Sequence, residues 1–189
     1  KQNLEELKSQ KIDWNSAKFH NHIRNSECEE KALKDLIALN KNIKAQLHFC
    51  HITTKKGIEI IHQAKKQNPK ISFEVSPHHL FLDEEKISVL GNFGKVNPPL
   101  RAKENKNFLL EELKKGKIDC VATDHAPHTL QEKEQEYLKA PSGVTGLETA
   151  FSLLFDSEIG LEKIAKIFSE NPARIFGLQK KGKIKEGFD

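Results

Sequence analysis

Apolar positions along the chain fall into two rhythms, short unbroken runs and stripes at helical spacing, and the two alternate. The runs cover residues 45–52 (AQLHFCHI), 71–76 (ISFEVS) and the stretch around Ile118, Cys120, Val121 and Ala122. Unbroken apolar runs of this length suit strands buried on both faces of a parallel sheet. Between them, residues 26–39 carry Ala32, Leu33, Leu36 and Ile37 on one helical face, with Ser26 and Glu29 spaced as a capping box. Residues 53–67 place Ile58, Ile61 and Ala64 inward, and residues 83–91 read as a short helix closed by Gly91. A longer helix, 103–116, ends at Gly116, and the third run follows at once. Beyond it come a polar loop, 129–142, and helical stretches at 147–155, 161–169 and 171–178, the last with Asn171 as cap and Pro172 in the first helical position. Residues 1–23 are polar and irregular, a loop or short helix. Strand, helix, strand, helix, strand, helix predicts α/β architecture built from parallel β/α units.

Length and composition then set bounds. The 189 residues are 37% hydrophobic, enough for one core or for a large piece of a bigger domain, and the sequence contains no Met. The expectation is a piece of a longer protein, residues 1–189 forming one portion of a domain with sequence missing at both ends. A net charge of +4, from 31 basic against 27 acidic residues spread over helix faces, gives no basic patch interleaved with Tyr or Trp, so nucleic-acid binding is not expected. No run approaches the ~20 apolar residues that span a bilayer. Cys28, Cys50 and Cys120 show no CxxC spacing and read as reduced thiols of a cytoplasmic protein.

The chemistry gathers where strands end. His51, with His48 three residues back, ends the first run; His78 and His79 follow the second after Pro77; Asp124, His125 and His128 follow the third. In β/α folds the loops after the strands share one rim, and that rim is where ligands collect. A carboxylate and imidazoles there can hold zinc or act as a general base, with an anion binder alongside. Spacing alone also allows Asp124 as a turn cap and His51 as a packed core histidine. His48 points to the other end of its strand and reads as structural, His78 and His79 are ambiguous, and His20, His22 and His62 read as surface.

The motifs LHFCHITT, FEVSPHHLFL, GKVNPPLR, VATDHAPHT, APSGVTGLET and NPARIFGL…KGKIKEGFD stand in this order between Arg24 and Asp189. Together they resemble the class I dihydroorotases of the amidohydrolase superfamily. The resemblance implies the last three strands or so of a TIM-type (β/α)8 barrel, and a zinc enzyme that interconverts N-carbamoyl-L-aspartate and L-dihydroorotate in pyrimidine biosynthesis. It implies His51 as a metal ligand, Asp124 as metal ligand and catalytic base, and Asn97 and His128 as substrate-holding side chains. Ser142 and Gly143 match a loop pair whose backbone meets the substrate ring, with Ser142 where the family usually has Phe.

Zinc lowers the pKa of bound water to near neutrality and polarises an amide carbonyl, which suits a ring-opening hydrolase. Loop 129–142 suits a lid over such a site. The family's remaining metal ligands would precede Lys1, so the chain by itself is expected to be inactive and, with an open sheet edge, poorly soluble or oligomeric. Two other readings stand beside the enzyme: a catalytically dead dihydroorotase-like subunit that scaffolds aspartate transcarbamoylase, and another cyclic amidohydrolase of the allantoinase or dihydropyrimidinase type. The expected partners are the small-molecule substrate and either a second copy or that transcarbamoylase.

Overall fold

In a computed structural model, residues 18–188 are described, and the part of the amino-terminal reading that falls on residues 1–17 lies outside them. Three strands, β1 (Leu47–Phe49), β2 (Ile71–Val75) and β3 (Cys120–Val121), form a parallel sheet in the order β1-β2-β3. Leu47 pairs with Ile71 and Phe49 with Phe73, then Val75 with Val121. Helices α1 (Lys18–Ile23) and α2 (Ser26–Asn40) precede β1, and α3 (Lys55–Gln67) joins β1 to β2. Between β2 and β3 run α4 (Pro77–Phe81), a 3-10 turn at Glu84–Lys86, α5 (Ile87–Leu90) and α6 (Lys103–Lys114). After β3 come α7 (Leu130–Lys133), α8 (Ala150–Asp156), α9 (Leu161–Ala165) running into a π turn at Lys166–Glu170, and α10 (Asn171–Ile175). The alternation read from the sequence is therefore present, with β2 central and buried throughout.

Strand residues alternate between faces. Ile71, Phe73 and Val75 join Ile58 and Ile61 of α3, Leu109 and Leu113 of α6, Leu154 of α8 and Ile164 and Ile167 in one core. Phe73, Ile58, Ile61, Leu109 and Leu113 are fully enclosed; each stabilises the fold by about 1.5–3 kcal/mol through removal of apolar surface from water.

The ladder of β1 is shorter than its apolar run for a visible reason. The Asn40 side chain donates to the Ala45 carbonyl at 3.0 Å and accepts the Ala45 N–H at 2.9 Å, so that residue's backbone is satisfied outside the sheet.

Three local expectations are corrected. Helix α2 is capped by Asn25, whose side chain accepts the Cys28 N–H, and not by a Ser26–Glu29 box. Glu29 instead accepts from the hydroxyls of Thr53 (2.5 Å) and Thr54 (2.8 Å) and from both backbone N–H groups. Asn171 is no cap either: the chain enters α10 already helical, and the Asn171 amide donates to the Asp119 carbonyl at 2.6 Å. Residues 129–142 are not a plain polar loop, since Thr129 and Glu132 form a capping box for α7 and Lys133, Tyr137 and Ala140 are buried.

Candidate active site

The carboxyl ends of β1 and β3 carry His51 and Asp124, and both adopt the left-handed backbone region, with φ of 39° and 48°. A non-glycine residue pays roughly 1–3 kcal/mol for such a conformation, and such outliers gather at functional positions. Neighbouring bonds hold the chain there: Ile52 N–H reaches the Glu74 carbonyl at 2.9 Å, and Ala122 N–H the Val75 carbonyl at 3.1 Å. Among the described residues, neither the His51 ring nor the Asp124 carboxylate has a hydrogen bond or ion pair.

His78 ties these two ends to the end of β2. Burial pushes its pKa down to about 4, Asp124 pulls it up and His51 pulls it down, so it senses both rim residues. His79, whose ring is tilted 54° to that of His78 at 4.2 Å between centroids, is held well below its ordinary value, chiefly by burial. Its Nε2–H donates to the Pro98 carbonyl at 2.9 Å, while His79 Nδ1 and His78 Nε2 are buried without a partner. The ambiguous pair is thus one structural imidazole and one aimed among rim groups.

Two sets of predicted site residues come together, in separate places. His51 and Asn97 line one cleft of about 490 Å³, with Cys50, Pro98 and Arg101. His128, Ser142 and Gly143 meet in a second group: His128 Nε2 contacts the Ser142 carbonyl at 3.3 Å, and a side chain on Gly143 would stand 2.6 Å from Ala126 Cβ and 3.2 Å from His128 Nε2. Gly143, at φ 142°, gives its N–H to the Lys95 carbonyl. Of that backbone pair, Ser142 N–H is the donor left unbonded among the described residues.

Sequence reasoning missed what holds this loop. Lys133, buried, points its ammonium at the carbonyls of Gly143 (3.0 Å) and Pro141 (3.1 Å), and Lys95 donates to those of Tyr137 and Ala140, both at 2.6 Å. Burial lowers the pKa of both lysines.

His20 was expected at the surface and is buried instead: its ring nitrogens take the Tyr137 hydroxyl at 2.6 Å, and Asn97 Oδ1 at 2.8 Å with the Val96 carbonyl. Its partners lie 76 to 117 positions away, so no local pattern could have signalled the contact. His22 is exposed, as read, whereas His62 is half-buried, bonding the Lys117 carbonyl and packing edge-on against Phe73 at 5.7 Å. His125 Nδ1 accepts from Gly146 and Leu147 N–H groups and is structural.

The chain matches the amidohydrolase family over residues 7–189. It is 40% identical to a dihydroorotase of Methanosphaera stadtmanae across 99% of this chain and 44% of that protein, and 45% identical to a dihydroorotase of Bacillus cytotoxicus across 86% and 39%. Among solved structures it resembles the dihydropyrimidinase of Brevibacillus agri (TM-score 0.88, 27% identity, all of this chain and 44% of that one) and the L-hydantoinase of Arthrobacter aurescens (TM-score 0.86, 27%, 98% and 43%).

The chain belongs to the amidohydrolase family, and its fold is part of a TIM-type barrel. It spans less than half the length of the relatives it matches. His51 and Asp124 have the chemistry of metal ligands, an imidazole nitrogen and a carboxylate oxygen, both without protein partners among the described residues, and they follow the ends of the two outer strands on one rim. Among the described residues no helix is long and apolar enough to cross a membrane.

Proposed function

We propose that this chain is the carboxyl-terminal barrel portion of a zinc-dependent dihydroorotase, which opens and closes the dihydroorotate ring in pyrimidine biosynthesis. One observation carries the reading: His51 and Asp124, both unpartnered, are held in a costly backbone conformation at strand ends, where His78 senses each of them. The names of the relatives at 40–45% identity favour dihydroorotate over the hydantoins and dihydropyrimidines of the neighbours at 27%.

His51 and Asp124 would hold zinc together with ligands from outside the described residues. When bound, the metal supplies charge stabilisation at the amide carbonyl and lowers the pKa of water. Asp124 takes one proton from the attacking water and delivers it to the ring nitrogen as the carbon–nitrogen bond breaks, so the carboxylate ends the cycle as it began. His128 donates a hydrogen bond to the substrate carboxylate, and Asn97, whose oxygen is engaged by His20, offers its NH2. Ser142 N–H is the free backbone donor toward the ring, while Lys133 and Lys95 fix the loop that presents it. Retention of both ligand-type residues with their strained geometry argues against an inactive scaffold.

The complete protein, loaded with zinc, should hydrolyse dihydroorotate with a kcat/KM about 10²-fold or more above dihydrouracil, hydantoin and allantoin. A preference for any of those three would replace the substrate, and no turnover of any ring would replace the enzyme with the scaffold.

A further inference from the structure

Lys95, Val96 and Asn97, consecutive in the chain, are tied to loop 129–142 and to α1 by one connected set of contacts. The Lys95 ammonium stands 4.2 Å from the centre of the Tyr137 ring and donates to the Tyr137 carbonyl at 2.6 Å. The Tyr137 hydroxyl meets His20 Nδ1 at 2.6 Å, with the two rings edge to face at 5.9 Å. On the other side of the imidazole, Nε2 lies 2.9 Å from the Val96 carbonyl oxygen and 2.8 Å from Asn97 Oδ1. His20 and Tyr137 are buried, whereas Asn97 is half-buried at the cleft that His51 also lines, and its NH2 has no partner among the described residues.

The direction of each bond in this chain follows from the one atom that has no choice. A backbone carbonyl oxygen can only accept, so the bond to Val96 requires the hydrogen of the neutral ring on Nε2. That hydrogen, shared with Asn97, demands the oxygen end of the amide, because an NH2 there would set two donors against each other. Nδ1 is then bare and accepts from the Tyr137 hydroxyl. Burial favours the same arrangement: it pushes the Tyr137 pKa up to about 12, so the hydroxyl keeps its proton at neutral pH, and it lowers that of His20, so the ring stays neutral.

We propose that Tyr137 and His20 are positioning residues that fix the polarity of Asn97, holding its NH2 toward the cleft so that the site selects a substrate with an acceptor oxygen at that point. The inference rests on the reading of Asn97 as a substrate-holding side chain. An asparagine amide turns readily about its last bond. Without His20 the turned form becomes accessible, and it shows the substrate an oxygen that repels a carbonyl or carboxylate. Tyr137 belongs to the loop that carries Ser142, so one device sets both the loop and the amide.

The complete, zinc-loaded protein supplies the test, through kinetics on dihydroorotate and nitrogen-15 spectra of the histidine rings. His20, assigned by the loss of its signals in His20→Gln, should be the Nε2–H tautomer, with a bare Nδ1 whose signal moves when Tyr137→Phe removes its donor. His20→Leu should raise KM about tenfold or more with kcat changed less than about threefold, since the lost contact serves bound substrate and transition state alike. Tyr137→Phe should raise KM about threefold, which keeps a kinetic arm if His20→Leu fails to fold by circular dichroism. His20→Gln retains a donor toward Val96 and Asn97 and should restore most of the loss. Asn97→Asp keeps the shape but turns an oxygen to the cleft, and should raise KM more than Asn97→Ala. An Nδ1–H tautomer, an unchanged KM in a folded His20→Leu or Tyr137→Phe protein, a His20→Gln protein no better than His20→Leu, or an Asn97→Asp protein better than Asn97→Ala each overturns the proposal. An unchanged KM in Asn97→Ala instead removes the substrate-holding reading of Asn97, and this inference falls with it.

Discussion

One face of the three-stranded sheet and the other are made from the same short strands, yet they follow different rules. Toward α3 and α6, Ile71, Phe73 and Val75 enter an enclosed apolar core. On the opposite face, Ser72 and Glu74 alternate with them and meet His48, while His51 and Asp124 stand at the strand ends without partners. The first face lowers the free energy of the fold. The second spends some of that stability on strained backbone and buried polar groups. Side-chain alternation lets a strand of five residues do both, so damage to one face should leave a signature different from damage to the other.

The largest effect expected is Asp124→Ala in the complete protein, which removes a proposed metal ligand and the proton carrier together. Its kcat/KM for dihydroorotate should fall by more than the ~10²–10⁴ of general acid–base catalysis alone, with little change in melting temperature. Activity within tenfold of wild type would remove Asp124 from the chemistry. Phe73→Ala is the converse: denaturant unfolding should show about 3–5 kcal/mol of lost stability.

Acid should act through the polar side. His78 has a folded pKa of about 4 against an ordinary 6.5, and His20 and His79 are lowered too, all chiefly by burial. Below pH 6.5 the unfolded chain takes up protons that the folded chain refuses. The stability from burying these rings neutral is therefore complete above pH 6.5 and is lost progressively as pH falls toward 4. His78 alone accounts for on the order of 3 kcal/mol. Unfolding curves of metal-free protein at pH 7 and pH 4.5 test this, and a flat profile would mean that water reaches the rings.

The smallest effect is His128→Ala, which should raise KM for dihydroorotate by an amount equivalent to about 1.5–3 kcal/mol, a hydrogen bond to a charged group. Zinc content should stay unchanged. Stoichiometric loss of zinc in this variant would make His128 a ligand.

The strands, their order and the inward stripes of α3 and α6 were legible because burial imposes periodicity, and periodicity survives in the sequence. The places of His51 and Asp124 just past strand ends were legible as well, since the end of an apolar run marks the rim. What escaped was set by distant contacts. The Ser26–Glu29 spacing fits a capping box, yet Glu29 finds four donors at Thr53 and Thr54 across the helix pair, and Asn25 takes the cap. His20 reads as surface until Tyr137 and Asn97 arrive. Lys95 and Lys133 look like any lysines in polar stretches, because a carbonyl cage leaves no trace in composition. His48, read as structural, bonds Ser72 and Glu74 of the next strand.

Glu29 has a reach beyond its own helix. Thr53 and Thr54, whose backbone and hydroxyls it grips, follow His51 by two and three residues, and Arg101 closes the bracket by donating to Thr53 Oγ1 at 2.9 Å. The attitude of the rim imidazole is therefore inherited from a joint between α2 and the start of α3. Gly57 keeps that joint tight, as a methyl there would stand 2.8 Å from both Glu29 Oε1 and Thr54 Oγ1. Evolution or an engineer could detune the proposed metal centre from this hinge-pin without touching either of its proposed ligands.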